Sequence, residues 1–156
     1  MLMGPANNLP YLILHLANVI AKQSDELLKQ ELGIGLSQYK VLMVLEWNPL
    51  IEQKIIAESL GQTEASISRQ ISNLKAEGLL SSRLDANNKR RHLSVPTARG
   101  MQLTEAATAI LKRGFSRDFQ DIGVQELANL ESSINKLHKN FCQLGKEGAC
   151  SHQLGF

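Results

Sequence analysis

Aromatic residues are scarce in this chain. Only 4% of its 156 residues are Phe, Trp or Tyr, which argues against a β-sandwich or barrel, whose strands draw on those residues together with Val. Cysteine is nearly absent. Cys142 and Cys150 are too few and too close to the C-terminus to staple a secreted scaffold, so a reducing cytoplasm is the expected location. Long apolar runs are missing as well. The stretch Leu9 to Ala21 follows no Lys or Arg and is interrupted by His15 and Asn18, so it is neither a signal-peptide core nor a membrane span, which needs about 18 apolar residues. No nucleophile elbow, phosphate-cradling glycine loop or spaced carboxylate pair occurs. These gaps argue against an enzyme, and they imply neither a cofactor, a resident metal nor a membrane partner.

What is present is a helical alphabet. The hydrophobic share of 43% is mostly Leu, Ile and Ala, and the chain is long enough for one domain with a real core. Asn8 and Pro10 open a helix expected from about residue 9 to Leu32, with Leu12, Ile13, Leu16, Val19, Ile20, Leu27 and Leu28 at helical spacing. After Gly33 and Gly35, Ser37 is expected to cap a second helix burying Val41, Leu42 and Leu45 and ending near Asn48-Pro49. A third runs from about Glu52 to Leu60 and stops at Gly61, which suits a left-handed turn. Thr63 then caps a fourth, to about Glu77, in which Ile67, Ile71 and Leu74 form the buried stripe. Two helices joined across one glycine, the second ended by Gly78, have helix-turn-helix spacing.

The period then changes. Leu79 to Leu84 and His92 to Val95 read as strands around the turn-forming Asp85-Ala86-Asn87-Asn88-Lys89, giving a β-hairpin wing. Thr97 caps a further helix expected to reach about Phe119, and Gly123 precedes a last one. Its apolar residues Val124, Leu127, Leu130, Ile134, Leu137, Phe141 and Leu144 make one seam. The expected fold is therefore mainly α with a small β-hairpin wing, in the order ααααββαα.

Charge and surface chemistry point at the middle of this order. The chain's formal charge is only +2, yet residues 60–100 hold Arg69, Lys75, Arg83, Lys89, Arg90, Arg91 and Arg99 against Glu64, Glu77 and Asp85, leaving the remainder net acidic. A basic segment of this kind is the footprint of a phosphate-binding face. Opposite the buried stripe of the fourth helix stand Ala65, Arg69, Ser72 and Ala76, flanked by Ser66, Ser68 and Asn73. Small residues let a backbone approach the major groove, hydroxyl and amide groups exchange hydrogen bonds there, and an arginine can fork onto guanine O6 and N7. Ser66, Ser68 and Arg69 are the expected base contacts, with Gln62, Thr63 and Asn73 as positioning contacts. In the wing, Asn88, Lys89, Arg90 and Arg91 are the expected DNA contacts, and Arg90 is the residue expected to enter the minor groove. The competing reading of the same elements is a winged-helix protein-interaction module without DNA affinity.

At this point the chain resembles the MarR-type regulators, over nearly its whole length and most strongly from Gly35 to Gly100. Leu36-Ser37-Gln38-Tyr39-Lys40-Val41-Leu42 is similar to the family's second helix and Ile55-Ile56-Ala57-Glu58-Ser59-Leu60-Gly61 to its third. Ser66-Ile67-Ser68-Arg69-Gln70-Ile71 is similar to the recognition helix, and Leu74-Lys75-Ala76-Glu77-Gly78-Leu79-Leu80 to the turn into the wing. Two positions depart from the family pattern: Asn88 stands where relatives carry an acid that orients the wing arginine, and Pro96 stands where they carry a Leu before Thr97. The resemblance implies a homodimer formed through the first and last helices, a pseudo-palindromic operator on double-stranded DNA, repression, and release by a small-molecule or oxidant effector. On this reading residues 1–34 and 101–145 dimerise, 35–100 form the DNA-binding lobe and 146–156 are a flexible tail.

Two further constellations remain. Tyr39, Met43 and Trp47 recur at i, i+4 and i+8 and, with His15 and Leu16, could line an effector pocket, although such stripes are more often ordinary core. His138 and Cys142 lie i, i+4 on one helix face, with Cys150 and His152 following. Two His and two Cys could bind zinc in a metal-responsive regulator, but their spacing matches no finger pattern.

Overall fold

The computed structural model describes residues 8–88 and 92–144. Its elements run α1 (Leu9–Leu32), α2 (Leu36–Trp47), α3 (Gln53–Leu60), α4 (Glu64–Ala76), β1 (Leu80–Leu84), β2 (His92–Pro96), α5 (Ala98–Phe115) and α6 (Val124–Leu144). The two strands pair antiparallel, with Leu80 opposite Pro96 and Leu84 opposite His92. The architecture is the expected mainly helical one with a small hairpin. No described helix is long and apolar enough to cross a membrane.

Helix α2 is the hub. Val41, Leu42, Val44 and Leu45 face a core shared with Ile56 and Ala57 of α3, Ile67, Ile71 and Leu74 of α4, and Leu79 and Leu80. On its other side Tyr39 joins Leu28 of α1, Ile34 and Ala107 of α5 in a second cluster, and Leu103 packs against both. A helix that is apolar nearly all round belongs in the interior. Burying a Leu or Ile side chain contributes about 1.5–3 kcal/mol, so α2 anchors α4 and α5 to each other.

Two boundaries differ from expectation. Helix α2 begins at Leu36, with Gly35 and not Ser37 at the cap, because side chains other than Ser37 satisfy the amides at its start. Gly35 N–H donates to Gln38 Oε1 (3.0 Å), and Leu36 N–H donates to Asp25 Oδ1 of α1 (2.9 Å). Helix α5 ends at Phe115, short of Phe119. Beyond it Asp118 N–H bonds Phe115 O and Ile122 N–H bonds Phe119 O, so the chain continues in three-residue turns. Since α5 already starts at Ala98, the expected lobe boundary at residue 100 falls inside a continuous helix.

Both ends of the chain leave apolar surface open. The first half of α1 exposes Tyr11 (71%), Leu12, Leu14 (65%) and Leu16, and buried residues appear only at Ser24 and Leu28. Along α6, Val124, Leu130, Ile134 and Phe141 (65%) stand in solvent. Contiguous exposed apolar stripes of this length mark an interaction surface.

Candidate nucleic-acid interface and ligand cleft

The recognition element is built at one tight turn. Gly61 adopts φ +63° at the end of α3, a left-handed conformation that costs a side-chain-bearing residue about 1–2 kcal/mol. Two residues later Thr63 caps α4, its Oγ1 accepting from Ser66 N–H at 3.1 Å, and Glu64 lies in the first turn against the positive helix end. Ile67, Ile71 and Leu74 are buried as the periodicity required, which turns Ala65, Ser68, Arg69, Ser72, Asn73 and Ala76 into solvent. Thr63 is exposed and Ser66 half-buried. Ser72 is tied back along the helix, donating to Ser68 O at 3.0 Å.

Gln62 was expected to touch DNA, yet both ends of its amide are engaged within the protein. Its Nε2 donates to Ser37 Oγ of α2 (2.6 Å), while its Oε1 accepts from Ser66 Oγ (3.1 Å) and Gln70 Nε2 (2.6 Å). Ser37 and Gln70 were missed in the sequence as partners of this group. The one readable signal was the i, i+4, i+8 spacing of Gln62, Ser66 and Gln70.

The far end of α4 is clamped by the start of α5. Thr97 Oγ1 donates to Gly78 O (2.8 Å) and accepts from Gly100 N–H (3.1 Å), Thr97 N–H donates to Leu79 O (3.0 Å), and Arg99 Nη1 donates to Glu77 O (3.2 Å). In the sequence, Arg99 counts among the seven basic residues of the segment 60–100 and carries no expected structural role. A guanidinium on the last carbonyls of a helix both satisfies them and complements the dipole. At the wing, buried Asp85 opens the loop by accepting Asn87 N–H at 2.9 Å. Asn88 is exposed. Lys89, Arg90 and Arg91 lie outside the described residues.

The expected effector residues divide. Tyr39, Met43 and Trp47 line a cleft of about 840 Å³ between α2 and α5, with Met101, Thr104, Thr108 and Lys112 among its other walls. An adjoining hollow of about 490 Å³ shares Tyr39, Thr108 and Lys112 and extends to Phe115 and Phe119. Thr108 Oγ1 donates to Thr104 O at 2.9 Å, so at its 2.9 Å contact with Tyr39 the phenol donates. Tyr39 is thus both core and wall. His15 and Leu16 do not join them. They stand on the exposed half of α1, where His15 stacks on Tyr11 with ring centroids 6.5 Å apart, because the part of α1 that packs on the lobe begins a turn or two later. Of the other constellation, His138 and Cys142 fall on α6 and Cys150 and His152 outside the described residues. No group of three or more His, Cys, Asp or Glu converges among the described residues.

This order of elements has known counterparts. A MarR/EmrR family transcriptional regulator from Acinetobacter sp. ADP1 superposes with a TM-score of 0.74 at 21% identity, covering 90% of this chain and 99% of that one. The chain has the MarR-type winged-helix fold. S. aureus MepR, solved as a DNA complex, gives 0.68 at 22% identity over 85% of this chain and 95% of its own. The Mycobacterium tuberculosis MarR family protein Rv2887, in complex with p-aminosalicylic acid, gives 0.71 at 19% identity over 83% and 98%. No sequence profile of a protein family matches the chain, and no curated protein matches it in sequence. The likeness is therefore one of MarR-type fold, covering α1 through α6 and not the lobe alone.

Proposed function

We propose that this protein is a sequence-specific regulator of transcription that binds double-stranded DNA, and that it is not an enzyme. The observation that carries the reading is the solvent face of α4, where Ser68, Arg69 and Asn73 project from a helix fixed at both ends, by Thr63 and Gly61 at one and by Thr97 and Arg99 at the other. A reader of base edges needs such a rigid platform, since a small tilt misplaces every contact. That a MarR-type neighbour was solved on DNA supports the assignment. Arg69 is the residue for bidentate contact, and Lys89, Arg90 and Arg91 supply wing contacts to phosphate and minor groove.

The working unit is a homodimer built from the open apolar stripes of α1 and α6, with residues 35–100 as the DNA-binding lobe. Two-fold symmetry places the recognition helices about 34 Å apart on a pseudo-palindrome. The cleft of Tyr39, Met43, Trp47 and Lys112 receives a small-molecule effector, and its occupation releases a repressed promoter in the cytoplasm. The neighbour holding p-aminosalicylic acid supports a ligand-responsive reading.

Fluorescence polarisation with duplexes selected from random DNA, read at two salt concentrations, tests the core of this. Binding should weaken steeply with salt. Arg69→Ala should reduce discrimination between sequences by about 1–3 kcal/mol, whereas Lys89→Ala should weaken all sequences alike. A protein that binds no duplex in a salt-sensitive way is instead a winged-helix protein-interaction module.

A further inference from the structure

The bonds around Gln62 decide what Ser66 can offer to a base. Ser66 Oγ lies 3.1 Å from Gln62 Oε1, a pure acceptor, so the hydroxyl proton points there. Gln70 Nε2, at 3.3 Å, takes one of the two lone pairs of the hydroxyl. The orientation of the two amides is fixed by what surrounds them. Turning Gln62 over would set its NH2 against Gln70 Nε2 and force Gln70 to turn as well. That would put an NH2 with two protons at the buried position now held by Gln70 Oε1, which has no partner among the described residues. A lone carbonyl is tolerated in such a place more readily than two orphaned donors. Ser66 is therefore left with one lone pair and no proton to give.

We propose that Ser66 reads its base as a hydrogen-bond acceptor only, and that Gln62 is the specificity-determining residue that makes it so. This rests on the DNA-binding reading above. In the major groove adenine N6 and cytosine N4 carry amino donors, while guanine and thymine present acceptors at their O6, N7 and O4 edges. Ser66, in the first turn of the recognition helix, selects adenine or cytosine on the contacted strand and rejects guanine and thymine. Gln62 and Gln70 act on specificity through Ser66 and need not touch DNA themselves. A free serine hydroxyl could rotate to suit any base, so the network converts a permissive residue into a selective one. Ser37 holds Gln62 in place from α2, which ties this choice to the body of the lobe.

Duplex selection from random DNA with wild type, Gln62→Glu, Gln62→Met and Ser66→Ala tests the proposal. Wild type should show one position per half-site restricted to adenine or cytosine, and Ser66→Ala should lose the restriction at that position. Gln62→Glu, which keeps an acceptor for the hydroxyl proton, should retain it. Gln62→Met, which does not, should admit guanine or thymine. On wild-type protein, where folding of a variant is not at issue, an operator with a base analogue lacking only the exocyclic amino group at that position should bind roughly fivefold to tenfold more weakly. A consensus with guanine or thymine there, an analogue that binds as well as the parent base, or a Gln62→Met consensus identical to wild type would overturn the acceptor assignment while leaving the regulator reading intact. Wild-type protein that binds no duplex would overturn both.

Discussion

Replacing Gly100 by alanine is expected to loosen the joint between the recognition helix and the rest of the lobe. Gly100 is buried in the first turn of α5, where it passes directly over the backbone of Leu79. A Cβ built there would sit well inside contact distance of the Leu79 carbonyl oxygen and 3.1 Å from its carbonyl carbon. The obstacle is backbone that already accepts Thr97 N–H at 3.0 Å, so no rotamer change relieves it and α5 itself must shift. Overpacking of this kind costs about 1–3 kcal/mol, and a rigid backbone partner puts it at the upper end. Alanine returns roughly 1 kcal/mol through its better helix propensity, leaving a net loss of about 2 kcal/mol. For a domain of this size that lowers Tm by about 4–8 °C.

Thermal unfolding of wild type and Gly100→Ala at one protein concentration measures this, since association of protomers would otherwise move Tm by mass action. Gly123→Ala is the control, because a Cβ there meets nothing within 4 Å, and it should leave stability within about 0.5 kcal/mol. The shift forced on α5 also pulls Thr97 and Arg99 off the end of α4, so DNA affinity should fall along with stability. A Gly100→Ala protein as stable as wild type would refute the close approach and with it the rigidity of the clamp.

Three other outcomes follow from the same geometry. The Lys29 ammonium, 2.7 Å away, and the Leu36 amide hold the Asp25 carboxyl below its ordinary value of 3.8. Its contribution to stability is therefore present above that value and is lost as pH falls through the lower folded-state value; urea midpoints from about pH 5 down to about pH 2 should fall more steeply for wild type than for Asp25→Asn, and parallel curves would count against the cap. Ile134→Glu puts a carboxylate in the middle of the exposed α6 seam, so sedimentation should show a dimer for wild type and monomer for the variant; a monomeric wild type would remove the dimer. Trp47 is the chain's only tryptophan and is half exposed in the α2–α5 cleft. On the effector reading proposed above, its fluorescence should change saturably with at least one of a series of small aromatic acids, whose carboxylate Lys112 of the cleft could pair, and a flat signal for all of them up to about 1 mM would speak against that class of ligand.

The sequence disclosed those features whose causes are local. Ile67, Ile71 and Leu74 set the inner face of α4 by period alone, Thr63 and Thr97 are caps whose hydroxyls reach amides three residues on, and Gly61 stops α3 in a left-handed turn. It misled where a distant residue supplied what a local one would have. Ser37 is a good capping residue, but Asp25, eleven residues upstream of Leu36, already satisfies the α2 amide, so the helix starts before Ser37 and its hydroxyl is free to hold Gln62. Phe119 keeps the apolar rhythm of α5 although the helix has ended. His15 and Leu16 share a helix with Leu28, yet only the latter reaches the lobe. No pattern of apolar residues along one chain says which stripe its own lobe covers and which it leaves exposed.

The two candidate sites are mechanically joined through α5. One stretch of this helix, from Met101 to Lys112, forms a wall of the cleft against α2, while Thr97 and Arg99 at its start hold Gly78 O and Glu77 O at the end of α4. The opposite wall, α2, holds the beginning of α4 through Ser37 and Gln62. A ligand that wedges α2 and α5 apart therefore acts on both ends of the recognition helix at once. On the proposed reading, it would shift the protein away from a DNA-binding form only by as much as it bound a widened cleft more tightly than the present one. The Tyr39–Thr108 hydrogen bond spans that cleft at 2.9 Å, and a ligand taking either hydroxyl as its partner would gain its differential affinity by replacing it.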